Sequence, residues 1–114
     1  MRIDDWRRKI DAIDTAMLHL LNLRAELALE VGQMKSEERV PLRSPNREQE
    51  ILTRMREINP GPLDDETVTK IYQLILDESI RTQTRFGYDT AVSETTAAEA
   101  RDGRRAKSGR TTRR

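Results

Sequence analysis

Residues 3–35, IDDWRRKIDAIDTAMLHLLNLRAELALEVGQMK, decide the fold. Ile3, Trp6, Ile10, Ile13, Met17, Leu20, Leu27, Val31 and Met34 recur at steps of three and four, or of seven where the series skips one. That spacing lines one face of an α-helix. No proline interrupts the stretch, and Gly32 is the only weak helix former near its end. The first 37 residues are therefore predicted to form one helix. At 1.5 Å per residue such a helix is roughly 50 Å long, whereas a compact 100-residue domain has a radius of gyration of only about 13 Å. The apolar stripe outruns what the rest of one chain can cover. A second copy of the chain is the simplest partner to cover it.

Outward from this rod the chain reads as two further helices. Residues 37–43 form a polar connection containing Val40-Pro41-Leu42. Ser44 and Pro45 then supply an N-cap and a first helical residue, and Ile51, Leu52, Met55 and Ile58 give the second helix its apolar face. Asn59-Pro60-Gly61-Pro62 stops it. A third helix is expected after Leu63, with Asp64 as cap and Asp65 and Glu66 in the first turn, where the helix dipole favours negative charge. Val68, Ile71, Tyr72, Ile75, Ser79 and Gln83 follow one face of it. The expected architecture is all-α: one very long, one short and one medium helix per chain, in an intertwined homodimer. Residues 1–86 form the helical domain. Residues 87–114 are rich in Ala, Thr, Ser, Gly and Arg and are expected to be a disordered basic tail.

Composition narrows the chemistry. Of 114 residues, 36 % are charged and only 4 % aromatic, which suits helices better than a β-sandwich. There is no cysteine and one histidine, His19, expected on the polar side of the first helix. Thiolate sites, a histidine metal cluster and a Ser/His triad are thereby disfavoured. No apolar run approaches the ~20 residues of a membrane span and no signal peptide is recognised, so a cytoplasmic protein is expected. Residues 1–86 carry 14 Lys/Arg against 16 Asp/Glu, and residues 87–114 carry 7 against 4. Inward-facing cations therefore stand out in a mildly acidic body.

Those cations are the informative residues. Arg24 stands where the heptad pattern calls for an apolar side chain. Lys35, three turns later, points to much the same side. Arg47 and Glu48 sit one turn before Ile51 and Leu52, Ser79 and Gln83 prolong the stripe of the third helix, and Arg7 lies beside Trp6. Each has an ordinary explanation: a register-setting polar residue for Arg24, surface charges for Lys35, Arg47, Glu48 and Arg7, a core hydrogen bond for Ser79 and Gln83. Taken together these explanations are weaker, because an unpaired buried cation costs several kcal/mol and one glutamate cannot neutralise three cations. A small dianion with two carboxylates would satisfy the set, and arginine holds carboxylates bidentately.

WRRKIDAID, LLNLRAELALEVGQMK, VPLRSPNRE and IYQLILDESIRTQ, in that order, resemble the all-helical chorismate mutases over about residues 3–86. The resemblance implies an intertwined homodimer that converts chorismate to prephenate in phenylalanine and tyrosine biosynthesis. The reaction is a one-step Claisen-type rearrangement that needs no cofactor or metal. It further implies that Arg7 reaches the partner chain's site and that Arg24 and Arg47 hold the two carboxylates. Lys35 and Gln83 would bond the ether oxygen, Glu48 would receive the ring hydroxyl, and Ser79 would help place a carboxylate. Ser44 departs from the family, many members having an aspartate there. Three alternatives stand beside this reading. One is isochorismate pyruvate-lyase on the same scaffold, against which Arg47 and Glu48 count. The second is a non-catalytic helical dimer or adaptor. The third is nucleic-acid binding through the tail, disfavoured because its basic residues have no interleaved aromatics and no folded reading element.

Overall fold

A computed structural model of the chain describes residues 1–88. It contains three helices, α1 (Ile3–Glu38), α2 (Pro45–Ile58) and α3 (Asp65–Arg85). The expected tail lies outside the described residues from position 89 onward. Its first two residues, Gly87 and Tyr88, close the end of α3, and Tyr88 is only 3 % exposed. Among the described residues no helix is long and apolar enough to cross a membrane.

Local chemistry sets each helix end. The Asp5 carboxylate accepts the Arg2 N–H at 2.8 Å and opens α1, and Arg39 closes it in the left-handed conformation (φ 60°). Ser44 caps α2 by accepting the Arg47 N–H at 3.4 Å, with Pro45 as the first helical residue. Asp64 caps α3 by accepting the Thr67 N–H at 2.7 Å. That bond holds the Asp64 carboxyl below its ordinary pKa, because it stabilises the anion. Between α2 and α3, Asn59 organises the turn: its amide donates to the Leu63 carbonyl and to Asp65, and its carbonyl accepts from Gly61 N–H. The Gly61–Pro62 peptide is cis, and Gly61 has φ 77°.

α3 packs against both α2 and the C-terminal half of α1, and α1 and α2 do not pack on each other. Two hydrogen bonds register α1 on α3. Arg24 donates to Ser79 Oγ at 2.7 Å, and Gln83 donates to the Ala28 carbonyl at 2.7 Å. Both link residues 55 apart, so the two helices run in the same direction here, matched turn for turn. The buried apolar residues are Leu42, Leu52, Leu76 and Tyr88. Two expectations are corrected. On α3 the buried apolar residue is Leu76, and Ile71 is exposed; on α2, Ile58 faces out. The inward line of α3 passes through Tyr72, Leu76, Ser79, Ile80 and Gln83, one step round the helix from the line drawn through Ile71 and Ile75.

The N-terminal half of α1 has no partner among the described residues of its own chain. Ile3, Trp6, Ile10, Ile13, Met17 and Leu20 are each more than half exposed. The described residues measure 63 × 28 × 15 Å, with a radius of gyration of 18.0 Å, well above the roughly 13 Å of a compact domain of about 100 residues.

Candidate active site

A cavity of about 320 Å³ opens where the three helices meet. Arg24, Lys35, Arg47, Glu48, Ser79 and Gln83 line it, with Leu27, Val31, Ile51, Leu76 and Ile80 as apolar walls. Six of the seven residues singled out in the sequence are thus brought together. Arg7 is not among them. It stands 17 residues before Arg24, about 25 Å along the same helix, exposed and 3.7 Å from Asp4.

Helix ends deliver the polar groups. Lys35 lies in the last turn of α1, and the left-handed Arg39 folds the chain back, with Val40 N–H bonded to the Lys35 carbonyl at 3.0 Å. This return brings Leu42 beneath the lysine, whose ammonium donates to the Leu42 carbonyl at 2.9 Å. Glu48 comes from the first turn of α2, where the helix dipole favours a carboxylate. Arg47 precedes it; its guanidinium is paired with Glu50 at 3.2 Å on the exposed side. Ser79 donates to the Ile75 carbonyl and accepts from Arg24, so its hydroxyl holds the guanidinium over the cavity. Gln83 is 4 % exposed, and its side-chain carbonyl oxygen is buried with no hydrogen-bond partner among the described residues.

The electrostatics are lopsided. Among the described residues, Arg24 and Lys35 bond only neutral oxygens. The one acid on the cavity wall, Glu48, is engaged by Arg43 at 3.3 Å. Arg43 also reaches Asp77 on α3 at 2.7 Å, and Gln73 donates to the same Asp77 oxygen. These bonds, the arginine's foremost, hold the Asp77 carboxyl below its ordinary pKa. Sequence reasoning missed Arg43. Its acidic partner on α3 is 34 residues away, and no local pattern announces the pair. The backbone carbonyls of Ala28 and Leu42, which anchor Gln83 and Lys35, carry no sequence signal.

Two cations, Arg24 and Lys35, with no acid partner among the described residues, beside neutral donors in a largely apolar cavity, suit a small polyanion rather than a metal or a peptide. The family model of the type II chorismate mutases matches residues 6–84 of this chain. The chain belongs to that family. Among relatives, it is 40 % identical over 78 residues to the bifunctional chorismate mutase/prephenate dehydratase of Escherichia coli K12, a match covering 68 % of this chain and 20 % of that protein. The chain thus spans about a fifth of the length of that bifunctional relative. It is 30 % identical to the chorismate mutase of Methanocaldococcus jannaschii over 78 % of this chain and 91 % of that one. Among solved structures, chorismate mutase form II from Thermus thermophilus superposes with a TM-score of 0.72 at 34 % identity, covering 75 % of this chain and 97 % of that one. Form I from the same organism gives 0.67 at 35 % identity over 69 % and 99 %. All the cavity-lining polar residues fall within the span that the type II chorismate mutase model matches.

Proposed function

We propose that this chain is a chorismate mutase, rearranging chorismate to prephenate as a cytoplasmic homodimer in which Arg7 of each copy completes the other's cavity. The observation that carries the reading is the set Arg24, Lys35, Arg47, Ser79 and Gln83 around one cavity whose single carboxylate is already paired to Arg43. The mutase part of the relatives' names supports it.

The chemistry asks little of side chains except placement and charge. One C–O bond of the enol ether breaks as one C–C bond forms in a cyclic electron shift, with no proton gained or lost. Arg24 and Arg47 hold the two carboxylates and select the compact conformer in which the reacting carbons meet. Arg47 does so by exchanging Glu50 for substrate, at modest cost because that pair is exposed. Lys35 and Gln83 each have an N–H beyond the one bonded to Leu42 or Ala28, and these donate to the ether oxygen as negative charge develops. Glu48, oriented by Arg43, accepts the ring hydroxyl. A millionfold acceleration needs about 8 kcal/mol, and one preorganised donor in a dry site is worth about 3–4 kcal/mol. Two donors plus conformer selection are sufficient.

The bare apolar face of α1 and the distance between Arg7 and its own cavity support the dimer. The test is loss of chorismate absorbance on adding purified protein, with prephenate identified by acid conversion to phenylpyruvate, beside sedimentation of the same sample. Saturable prephenate formation by a dimer is expected. A folded protein that leaves chorismate untouched but releases pyruvate from isochorismate would replace this reading with the lyase.

A further inference from the structure

The end of α3 is built on Gln83. Gly87 takes φ 97° and donates its N–H to the Thr84 carbonyl at 2.9 Å, while Tyr88 N–H donates to the Gln83 carbonyl at 3.0 Å. This pairing is a Schellman stop, in which the residue after the left-handed glycine folds back over the residue five positions earlier. Here the folded-back residue is a tyrosine only 3 % exposed, and the residue it returns to is Gln83, 4 % exposed.

Gly32 of α1 faces both. A Cβ placed on Gly32 would lie 2.9 Å from Gln83 Cγ, 3.2 Å from Gln83 Cδ and 3.1 Å from Tyr88 Cδ2. The glutamine stem and the tyrosine ring therefore converge on the one spot where α1 has no side chain. With its amide bonded to the Ala28 carbonyl one turn back, Gln83 is fixed at its tip, along its stem and at its backbone.

We propose that Tyr88 and Gly32 are positioning residues for Gln83: the ring walls off water from the Ala28–Gln83 bond, and the bare glycine lets the stem lie flat against α1. This inference rests on the chorismate mutase reading. It assigns a role to Tyr88, just past α3, in a stretch whose composition alone reads as tail.

The experiment is steady-state chorismate turnover by wild type, Tyr88→Ala, Tyr88→Phe, Gly32→Ala, Gln83→Ala and the double variant Tyr88→Ala/Gln83→Ala, with thermal melts of each. Tyr88→Ala should lose kcat by roughly 10-fold with KM little changed, since a misplaced group far from the reacting atoms can cost up to about 100-fold. Tyr88→Phe should restore the rate. In the Gln83→Ala background the tyrosine change should add nothing, because residues acting through one another are non-additive. Gly32→Ala should also lower kcat. It keeps Tyr88 and favours helix formation, so it carries the test if Tyr88→Ala does not fold. Wild-type kcat in folded Tyr88→Ala or Gly32→Ala, or equal fractional losses with and without Gln83, would overturn the proposal. An inactive wild type would instead overturn the functional reading beneath it.

Discussion

The two halves of α1 share one heptad pattern and differ in whether α3 lies alongside. From Arg24 onward the helix lies on α3, anchors Ser79 and Gln83, and presents Lys35 to the cavity. Before Arg24 the same apolar spacing runs for about five turns, from Ile3 to Leu20, with every residue of the stripe more than half exposed. Periodicity therefore marks an apolar face without saying what lies against it. In the C-terminal half the side carrying Arg24, Ala28 and Gly32 lies on α3, while Leu27, Val31 and Met34 of the stripe stay about as exposed as the residues before them. The N-terminal half has only its bare apolar face, and in the proposed dimer it is the half that carries Arg7 across.

The largest expected effect sharpens this division. Lys35→Ala should lower kcat by about 100- to 1,000-fold, the usual loss on removing one preorganised donor, with an unchanged melting temperature. Arg7→Ala should also be inactive. Mixing the two inactive proteins should recover roughly a quarter of wild-type activity after subunit exchange, since a symmetric dimer then holds one intact site in each mixed pair. No recovery after demonstrated exchange would place Arg7's action within its own chain.

Next in size is Ile13→Ala. If a second copy covers the N-terminal half, the loss should be about 2–4 kcal/mol, as for a buried isoleucine. If the half stays bare, the change should fall within about 0.5 kcal/mol. Urea titration separates the two, and a null result would break the comparison.

Gln83→Glu probes the covered half from inside. Only a protonated carboxyl can donate to the ether oxygen, so turnover should move to acidic pH and decline as the new group ionises. The cations Arg24 and Lys35 on α1 and Arg47 on α2 favour the ionised form, and Glu48 opposes it. A flat pH–rate profile would remove Gln83 from the reaction.

The smallest effect concerns Asp77. Its carboxyl is held below the ordinary value by Arg43, so this interaction stabilises the fold fully above the unfolded pKa of about 3.9. It is lost as pH falls through the lower, folded value. Asp77→Asn should reduce the melting temperature slightly at neutral pH, and the difference from wild type should vanish in acid.

Much of this was legible in the residues. Helix boundaries followed from Ser44-Pro45, Asp64 and Asn59-Pro60-Gly61-Pro62, because caps and breakers act locally. The cavity was legible because Arg24, Ser79 and Gln83 interrupt apolar faces, and an interruption on a buried face needs a partner. What the sequence hid was non-local. Arg43 pairs with Asp77 from the connection before α2 to α3, and Leu76 rather than Ile71 is the apolar residue of α3 that is buried. Tyr88 was obscured by its polar neighbours, although a Gly followed by an aromatic just past a helix is itself a stop signal.

That α1 and α2 never pack on each other has a kinetic consequence. α2 and α3 are joined by a short turn and can form a local hairpin early, since nearby contacts close at little entropic cost. α1 then docks on α3 through residues 55 positions apart in the chain. Until it does, Lys35 and Arg24 stand apart from Glu48, Ser79 and Gln83. Amide exchange during refolding should accordingly protect α2 and α3 before the second half of α1, with the cavity forming only as α1 docks.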